Sequence, residues 1–155
     1  MTTHAAVQPG PSVTGPRSPR LVPLITISVL VATALNLGLY AIGRITEATF
    51  LVDNGHEPNH LVILPDVVWK TMAPVVVGAI VLVLIARYSR RLTTLGTIAG
   101  TAVGVGTGFL ALGNAHDMTT GVLLLGMHTT TAIAYLVIGA GVRRSAPTRR
   151  RDGVS

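Results

Sequence analysis

Cysteine is absent from the 155-residue sequence, so a disulfide, a thiol redox centre and a thiolate metal site are all excluded. Charged residues make up only 12% of the chain, whereas a soluble domain carries about 25%. Acidic residues are the scarcer kind, with 6 Asp and Glu against 12 Lys and Arg. A chain this poor in charge and 49% hydrophobic is typical of a membrane protein, and its length suits a single domain.

The sequence also lacks the motifs of common catalytic sites. It has no nucleophile elbow, no phosphate-binding loop and no paired carboxylates within an apolar run. Because proton relays commonly use intramembrane acids, their absence argues against an ion-coupled transporter. The ionisable residues of the polar connections match no known metal motif, so we expect solvated side chains, no metal and no cofactor. These residues are Asp53, His56, Glu57, His60, His116 and Asp117.

The chain does contain four long apolar runs, of 22 or 23 residues each. At 1.5 Å per residue each helix would reach about 33 Å, enough to cross a hydrocarbon core of about 30 Å. The first run is longer than the roughly 7 to 15 residues of a signal-peptide core, which favours a retained helix. We predict an all-α, polytopic membrane protein with a four-transmembrane-helix bundle over residues 21–142. Its spans are residues 21–43, 66–88, 92–113 and 121–142.

Residue types at the ends of these runs predict where the helices begin. Asp66 is a candidate N-cap for the second helix, which would put Pro74 near the first turns, where a missing N–H costs little. Asp117, Thr119 or Thr120 can cap the fourth helix. Only a few residues separate the second and third helices, so these two should form an antiparallel hairpin.

The distribution of charge predicts the orientation in the membrane. Ten of the twelve Lys and Arg residues lie in three segments. These are residues 1–20, which we predict to be a Pro- and Gly-rich disordered tail, the turn at 87–91 and the basic tail 143–155. The opposite side holds Arg44, Lys70 and five of the six acids. By the positive-inside rule both termini are cytoplasmic. The arginines should meet anionic lipid headgroups, and no recognition motif suggests nucleic acid.

The third run carries four glycines at four-residue spacing, which line up on one face of a helix. They are Gly96, Gly100, Gly104 and Gly108. A ridge without side chains lets another helix backbone approach closely, so we predict helix packing there. The partner can be Gly126, Thr130 and Ala134 of the fourth run, a second copy of the chain, or another membrane protein. The alternative is that membrane helices are simply rich in glycine.

Polar residues of three runs lie at one predicted depth. Asn36, Thr107 and His128 are each six or seven residues from the outer end of a run, or about 9 to 11 Å deep. Lys70 can lean toward that level or extend to water. The candidate polar intramembrane site therefore consists of Asn36, Lys70, Thr107, His128, Thr131 and Tyr135. The last two share the face of His128.

His128 is the most informative of these residues, because its ring nitrogens need a partner in hydrocarbon. It can relay a proton or bind a ligand. Alternatively, a neutral His128 hydrogen-bonded to Asn36 or to a threonine would only join helices. The sequence leaves both interpretations open.

Three segments resemble a known family when their order and spacing are considered together. They are ALNLGLYAIGR (34–44), WKTMAPVVVGAIVLVLIARYSRR (69–91) and LLLGMHTTTAIAYL (123–136). They resemble small four-span membrane proteins, mostly from actinobacteria, that form a family of unknown function. The resemblance covers about residues 21–142. It implies the four-helix fold and a bacterial plasma membrane, and it implies no activity.

Two functional hypotheses follow. The first is a non-catalytic integral membrane protein: a scaffold, an accessory subunit or a binder of a lipophilic ligand. The second is a membrane-embedded enzyme or carrier for a lipid- or quinone-like small molecule, with His128 and Asn36 at its site. The lipid bilayer is the expected surrounding in both cases, and the sequence does not decide whether the protein is an enzyme.

Overall fold

The computed structural model describes residues 21–53, 55 and 57–146, and within them it has four α-helices and one β-hairpin. In chain order these are α1 (Leu21–Ile45), β1 (Leu51–Val52), β2 (His60–Leu61), α2 (Leu64–Ala86), α3 (Arg90–Asn114) and α4 (Met118–Ser145). All four helices are long and apolar enough to cross a membrane, which confirms the predicted number of candidate spanning helices. The hairpin is not predicted from the sequence. The tail at 1–20 and the last part of the basic tail, 147–155, lie outside the described residues.

Consecutive helices run antiparallel, so the connections between them lie at two opposite ends of the bundle. The two ends differ chemically. The α1–α2 and α3–α4 connections lie together at one end, which we call the loop end. Leu21, the short link at 87–89 and Ser145 lie at the other, which we call the basic end. Arg143 and Arg144 occupy the last turn of α4 rather than a separate tail.

The start of α2 differs from the prediction. The helix begins at Leu64 with Ile63 as its N-cap, so the predicted cap at Asp66 is wrong. Asp66 lies one turn further in, where its carboxylate accepts a hydrogen bond from the Ile63 N–H at 3.3 Å. Pro74 consequently lies in the helix interior, not near its first turns. Because proline has no N–H, the carbonyl of Lys70 receives no helical hydrogen bond from that residue.

Asp117 is the N-cap of α4, one of the three residues that the sequence offered for that role. Its carboxylate accepts hydrogen bonds from the backbone N–H of Thr120 at 2.8 Å and from the Thr120 hydroxyl at 2.6 Å. It also accepts one from the Thr49 hydroxyl at 2.6 Å. The hydrogen bond from the Thr120 hydroxyl has the largest effect on the pKa of Asp117, and the bond from the Thr49 hydroxyl the next largest. Together they hold this pKa well below its usual range. One carboxylate therefore caps a helix and ties the two connections together.

Phe50 anchors the first connection to the bundle. Its side chain is fully buried and packs against Gly43. The centroid of its ring lies 4.7 Å from the centroid of the Tyr40 ring. Its backbone has a φ of 54°, unusual for a bulky residue. The Phe50 N–H donates to the Thr120 hydroxyl at 2.9 Å, and its carbonyl accepts from the Val62 N–H at 2.9 Å. These bonds hold the hairpin across the loop end.

The predicted glycine ridge faces α4 at three positions and α2 at the fourth. The neighbours are Tyr135 for Gly100, Ala132 for Gly104, His128 for Gly108, and Leu82 with Ile85 for Gly96. A Cβ added at residue 108 would lie 2.9 Å from the Cβ of His128, closer than real side chains approach. The ridge is thus used inside the chain, where it lets α3 pack closely on α4.

The predicted mate of the ridge is wrong. Gly126 of the stripe formed by residues 126, 130 and 134 lies next to Leu39 of α1, not next to α3. The stripe and His128 point in nearly opposite directions around α4, because residues 126 and 128 are about 200° apart on a helix. The sequence spacing identified a stripe of small residues correctly but could not assign its neighbour.

Gly108→Ala should destabilise the bundle, whereas Gly106→Ala should not. The added methyl at residue 108 meets the Cβ of His128, which cannot move without its helix, so we expect a loss of about 1 to 3 kcal/mol. Gly106 is on the same helix with open space around its Cβ position, which makes it a matched control. Unfolding of both variants in detergent measures the difference. Equal stability of the two variants would contradict close packing at residue 108.

Asp117→Asn should change how stability depends on pH. The pKa of Asp117 is lowered by folding, so its carboxylate stabilises the protein above the unfolded-state pKa of about 3.9 and less as the pH falls further. Asparagine can still cap a helix but does not titrate. The melting temperatures of the two proteins should therefore differ most above pH 5, and the difference should shrink progressively as the pH falls below about 4. Thr119→Ala, at an exposed neighbour, should melt like the wild type throughout; a constant difference between wild type and Asp117→Asn would contradict the assignment.

Candidate functional site

A cavity of about 610 Å³ lies between α2, α3 and α4, directly under the hairpin. All six residues of the predicted polar site line it: Asn36, Lys70, Thr107, His128, Thr131 and Tyr135. The rest of the lining is mainly apolar and comes from the three helices and from Val52 and Val62 of the hairpin region. The structure therefore brings the predicted residues to one cavity, although it does not bring them all into contact with one another.

The cavity exists because α2 and α3 separate. The two helices are joined by a short link at the basic end, yet they contact each other far less than α3 contacts α4. The ring of Tyr135 occupies the gap, against the Cβ positions of Gly78 on α2 and Gly100 on α3. Any larger residue at either position would collide with the ring. Tyr135 thus forms the floor of the cavity and closes it toward the basic end.

The side of the cavity opens between the same two helices. Pro74 on α2, and Val103 and Thr107 on α3, line the cavity and are also exposed on the outer surface of the bundle. The opposite wall is buried and includes Asn36 and Met127. In a bilayer this opening faces the hydrocarbon, since it lies along the length of two spanning helices.

Asn36 joins three helices at the cavity wall. Its side-chain amide nitrogen donates to the Thr71 hydroxyl on α2 at 2.8 Å and to the Thr131 hydroxyl on α4 at 3.2 Å. The two threonine hydroxyls donate in turn to the carbonyls of Val67 and Met127, at 2.6 and 2.9 Å. Asn36 is only 1% exposed, so these bonds form away from competing water. This arrangement makes Asn36 a structural tie between α1, α2 and α4.

The side-chain oxygen of Asn36 has no such bond. Within the described residues Oδ1 is buried and has no hydrogen-bond partner. Turning the amide over would not help, because the hydroxyls of Thr71 and Thr131 already donate to backbone carbonyls. An unpaired buried acceptor destabilises a structure unless something else donates to it.

His128 is not part of that cluster, so its predicted hydrogen bond to Asn36 or a threonine is wrong. Its Nδ1 lies 2.8 Å from the carbonyl oxygen of Leu124, one turn earlier in the same helix. A carbonyl can only accept, so Nδ1 carries the hydrogen. In the described part of the chain Nε2 has no hydrogen-bond partner, and the half-buried ring lines the cavity. The neutral ring therefore presents one free acceptor.

The other three predicted site residues have separate positions. The Thr107 hydroxyl donates to the carbonyls of Val103 and Gly104, both at 2.9 Å, and lies at the open rim. The Tyr135 hydroxyl lies 3.5 Å from the carbonyl of Gly96, below the floor. The Lys70 side chain extends toward the loop end and away from the depth of Asn36 and His128, which is one of the two directions that the sequence allowed.

Charged groups surround the mouth of the cavity at the loop end. The ammonium group of Lys70 lies 3.3 Å from a carboxylate oxygen of Asp66 and 3.5 Å from Nε2 of His60. His60 also lies 3.1 Å from Glu57 through its other ring nitrogen. Opposite them, Asp53 accepts hydrogen bonds from Asn59 N–H and His116, which lower its pKa. Among the described residues, which omit His56, no three such side chains are grouped to hold a metal ion.

Sequence reasoning missed Thr71, although a signal for it was present. Thr71 lies seven residues after Leu64, the first residue of α2. His128 likewise lies seven residues after residue 121, the outer end of its predicted span. The incorrect helix start at Asp66 concealed the match. The hairpin residues Val52 and Val62 gave no signal, because two-residue strands have no periodicity to detect.

Four apolar helices around a largely apolar cavity define a small multi-pass membrane protein. The chain belongs to the family of unknown function DUF6069, which matches residues 16–147. This confirms the predicted likeness to a family of unknown function. No curated protein and no solved structure matches the chain.

Asn36→Ala should lower the free energy of unfolding by about 1 to 2 kcal/mol, because it removes bonds between three helices inside the membrane. Thr107→Val is the control: its hydroxyl bonds only to its own helix, so we expect a change below about 0.5 kcal/mol. Thr71→Val should cost less in the Asn36→Ala background than alone, since the shared bond is already gone. Additive losses in this double-mutant cycle would contradict the tie.

Proposed function

We propose that this protein is a non-catalytic membrane protein that binds a lipophilic small molecule in the cavity between α2, α3 and α4. The observation that carries the proposal is the cavity itself, whose volume of about 610 Å³ lies in the range of roughly 300 to 1,000 Å³ typical of ligand sites. Its lining is mainly apolar with a few polar groups, as is common for such sites. The opening between α2 and α3 gives a ligand dissolved in the bilayer a lateral route.

The proposed setting is the plasma membrane of an actinobacterium, with both termini in the cytoplasm. The charge distribution supports this orientation, because Arg87, Arg90 and Arg91 lie near the basic end with Arg143 and Arg144. The hairpin and the cavity mouth then face the outside of the cell. A ligand would enter from the outer leaflet.

A membrane-embedded enzyme or carrier for a lipid- or quinone-like molecule is the second candidate. It is favoured by the unpartnered Nε2 of His128, which can accept a proton at the cavity wall. Binding alone is the better-supported role, because Asn36 cannot titrate and is engaged in holding helices. Lys70, a cation that lines the cavity, pairs with Asp66 at the mouth.

A homo-oligomer or a second membrane protein is a separate proposal. The ridge glycines face α4 and α2 within the chain, so a contact between chains would use another surface. Ligand binding in the cavity requires neither partner.

Thr107→Trp should block the cavity without altering the buried wall. The test is photolabelling in proteoliposomes with a long-chain alkyl diazirine that ends in a methyl ether, followed by mapping of the labelled peptides. In the wild type we expect label on cavity residues of α2, α3 and α4, reduced at least fivefold by Thr107→Trp, whose indole fills the rim.

Leu110→Trp is the matched control for that experiment. Leu110 is on the same helix, 66% exposed and outside the cavity lining, so the same indole there should leave cavity labelling unchanged. Label spread evenly over the lipid-facing surfaces, or cavity labelling that Thr107→Trp does not reduce, would overturn the proposed function.

A further inference from the structure

We propose that the ligand of this cavity carries a hydrogen-bond donor at its polar end: an alcohol or phenol hydroxyl on a lipophilic body, not a carbonyl, ester or ether. This inference rests on the proposed function and specifies the ligand class. It follows from one property of the deep part of the cavity. The polar groups there have committed their hydrogens to the protein and present lone pairs.

The threonines and Asn36 have this property. The hydroxyls of Thr71, Thr107 and Thr131 each donate to a carbonyl of their own helix. Asn36 directs its amide hydrogens to the hydroxyl oxygens of Thr71 and Thr131 and leaves Oδ1 unpaired. What these four side chains have left is acceptor capacity.

His128 adds the acceptor best placed for a ligand. Its Nδ1 hydrogen is bonded to the Leu124 carbonyl at 2.8 Å, so the neutral ring has only the lone pair of Nε2 to offer. The ring is half-buried, unlike the enclosed Oδ1 of Asn36, and therefore accessible from the cavity. An imidazole nitrogen accepts well from a hydroxyl.

The other side-chain donors that border the cavity lie at its ends: Lys70 and Asn114 at the loop end and Tyr135 at the floor. At the mouth, the Lys70 ammonium is occupied by Asp66. At the floor, the Tyr135 hydroxyl is nearest to the carbonyl of Gly96. A ligand carbonyl at the level of His128 would meet acceptors only and would lose its hydrogen bonds to water without replacement. A hydroxyl at that level donates to Nε2, so the cavity discriminates between the two groups.

The experiment compares two photoreactive probes that differ in one group. One is the alkyl diazirine methyl ether described above, and the other is the same molecule with a free hydroxyl. In wild-type proteoliposomes we expect the alcohol to label the cavity at about tenfold lower concentration, the effect of one additional hydrogen bond. His128→Phe should abolish this preference. His128→Gln, which restores an acceptor oxygen, should recover part of it.

Thr129→Val is the matched control for the histidine variants. Thr129 neighbours His128 on α4, does not line the cavity, and bonds only to the Leu125 carbonyl, so the preference should persist. Equal labelling of the cavity by both probes in the wild type would overturn the donor requirement while leaving the proposed function intact. A preference that survives in His128→Phe would overturn the assignment to His128. Labelling of the cavity by neither probe would overturn the proposed function and this inference together.

Discussion

Hydrocarbon offers no hydrogen bonds, so every polar side chain in a spanning helix must find its partner within the protein. The threonines show the simplest solution. Thr33, Thr97 and Thr130, for example, each donate to the carbonyl four residues earlier in the same helix. Asn36 cannot satisfy itself in this way, and it reaches across to two other helices. Its Oδ1 and the Nε2 of His128 depart from the pattern, and both residues line the same cavity.

Small residues determine where the helices meet and where they part. Gly104 and Gly108 bring α3 onto α4, and the same helix-to-helix contact carries His128 into the cavity wall. Gly78 and Gly100 have the opposite effect, because the ring of Tyr135 uses the space that they leave between α2 and α3. Close packing at Gly104 and Gly108, and the ring inserted at Gly100 on the same face of α3, together create the opening. The cavity is a product of helix packing rather than of a loop that covers a surface.

The sequence was sufficient for the number of helices and their apolar character, because hydropathy and length are properties of each segment alone. The six polar residues selected by their depth along the spans line one cavity, although Lys70 lies at its mouth and Tyr135 at its floor. The sequence could not identify their partners, because the rotation of each helix depends on packing. A start two residues earlier moved Pro74 into the interior of α2 and hid Thr71. The hairpin depends on the left-handed backbone of Phe50, which no local pattern signals.

The dominance of α3–α4 packing over α2–α3 packing has a consequence for biogenesis. A ribosome completes α3 before α4, so the glycine-rich helix emerges when its main partner has not yet been made. During that interval α3 has α2 beside it in sequence but little surface on α2 that fits it. It follows that docking of α3 awaits synthesis of residues near Ala132 and His128, and the assembly of this bundle is completed from its C-terminal half.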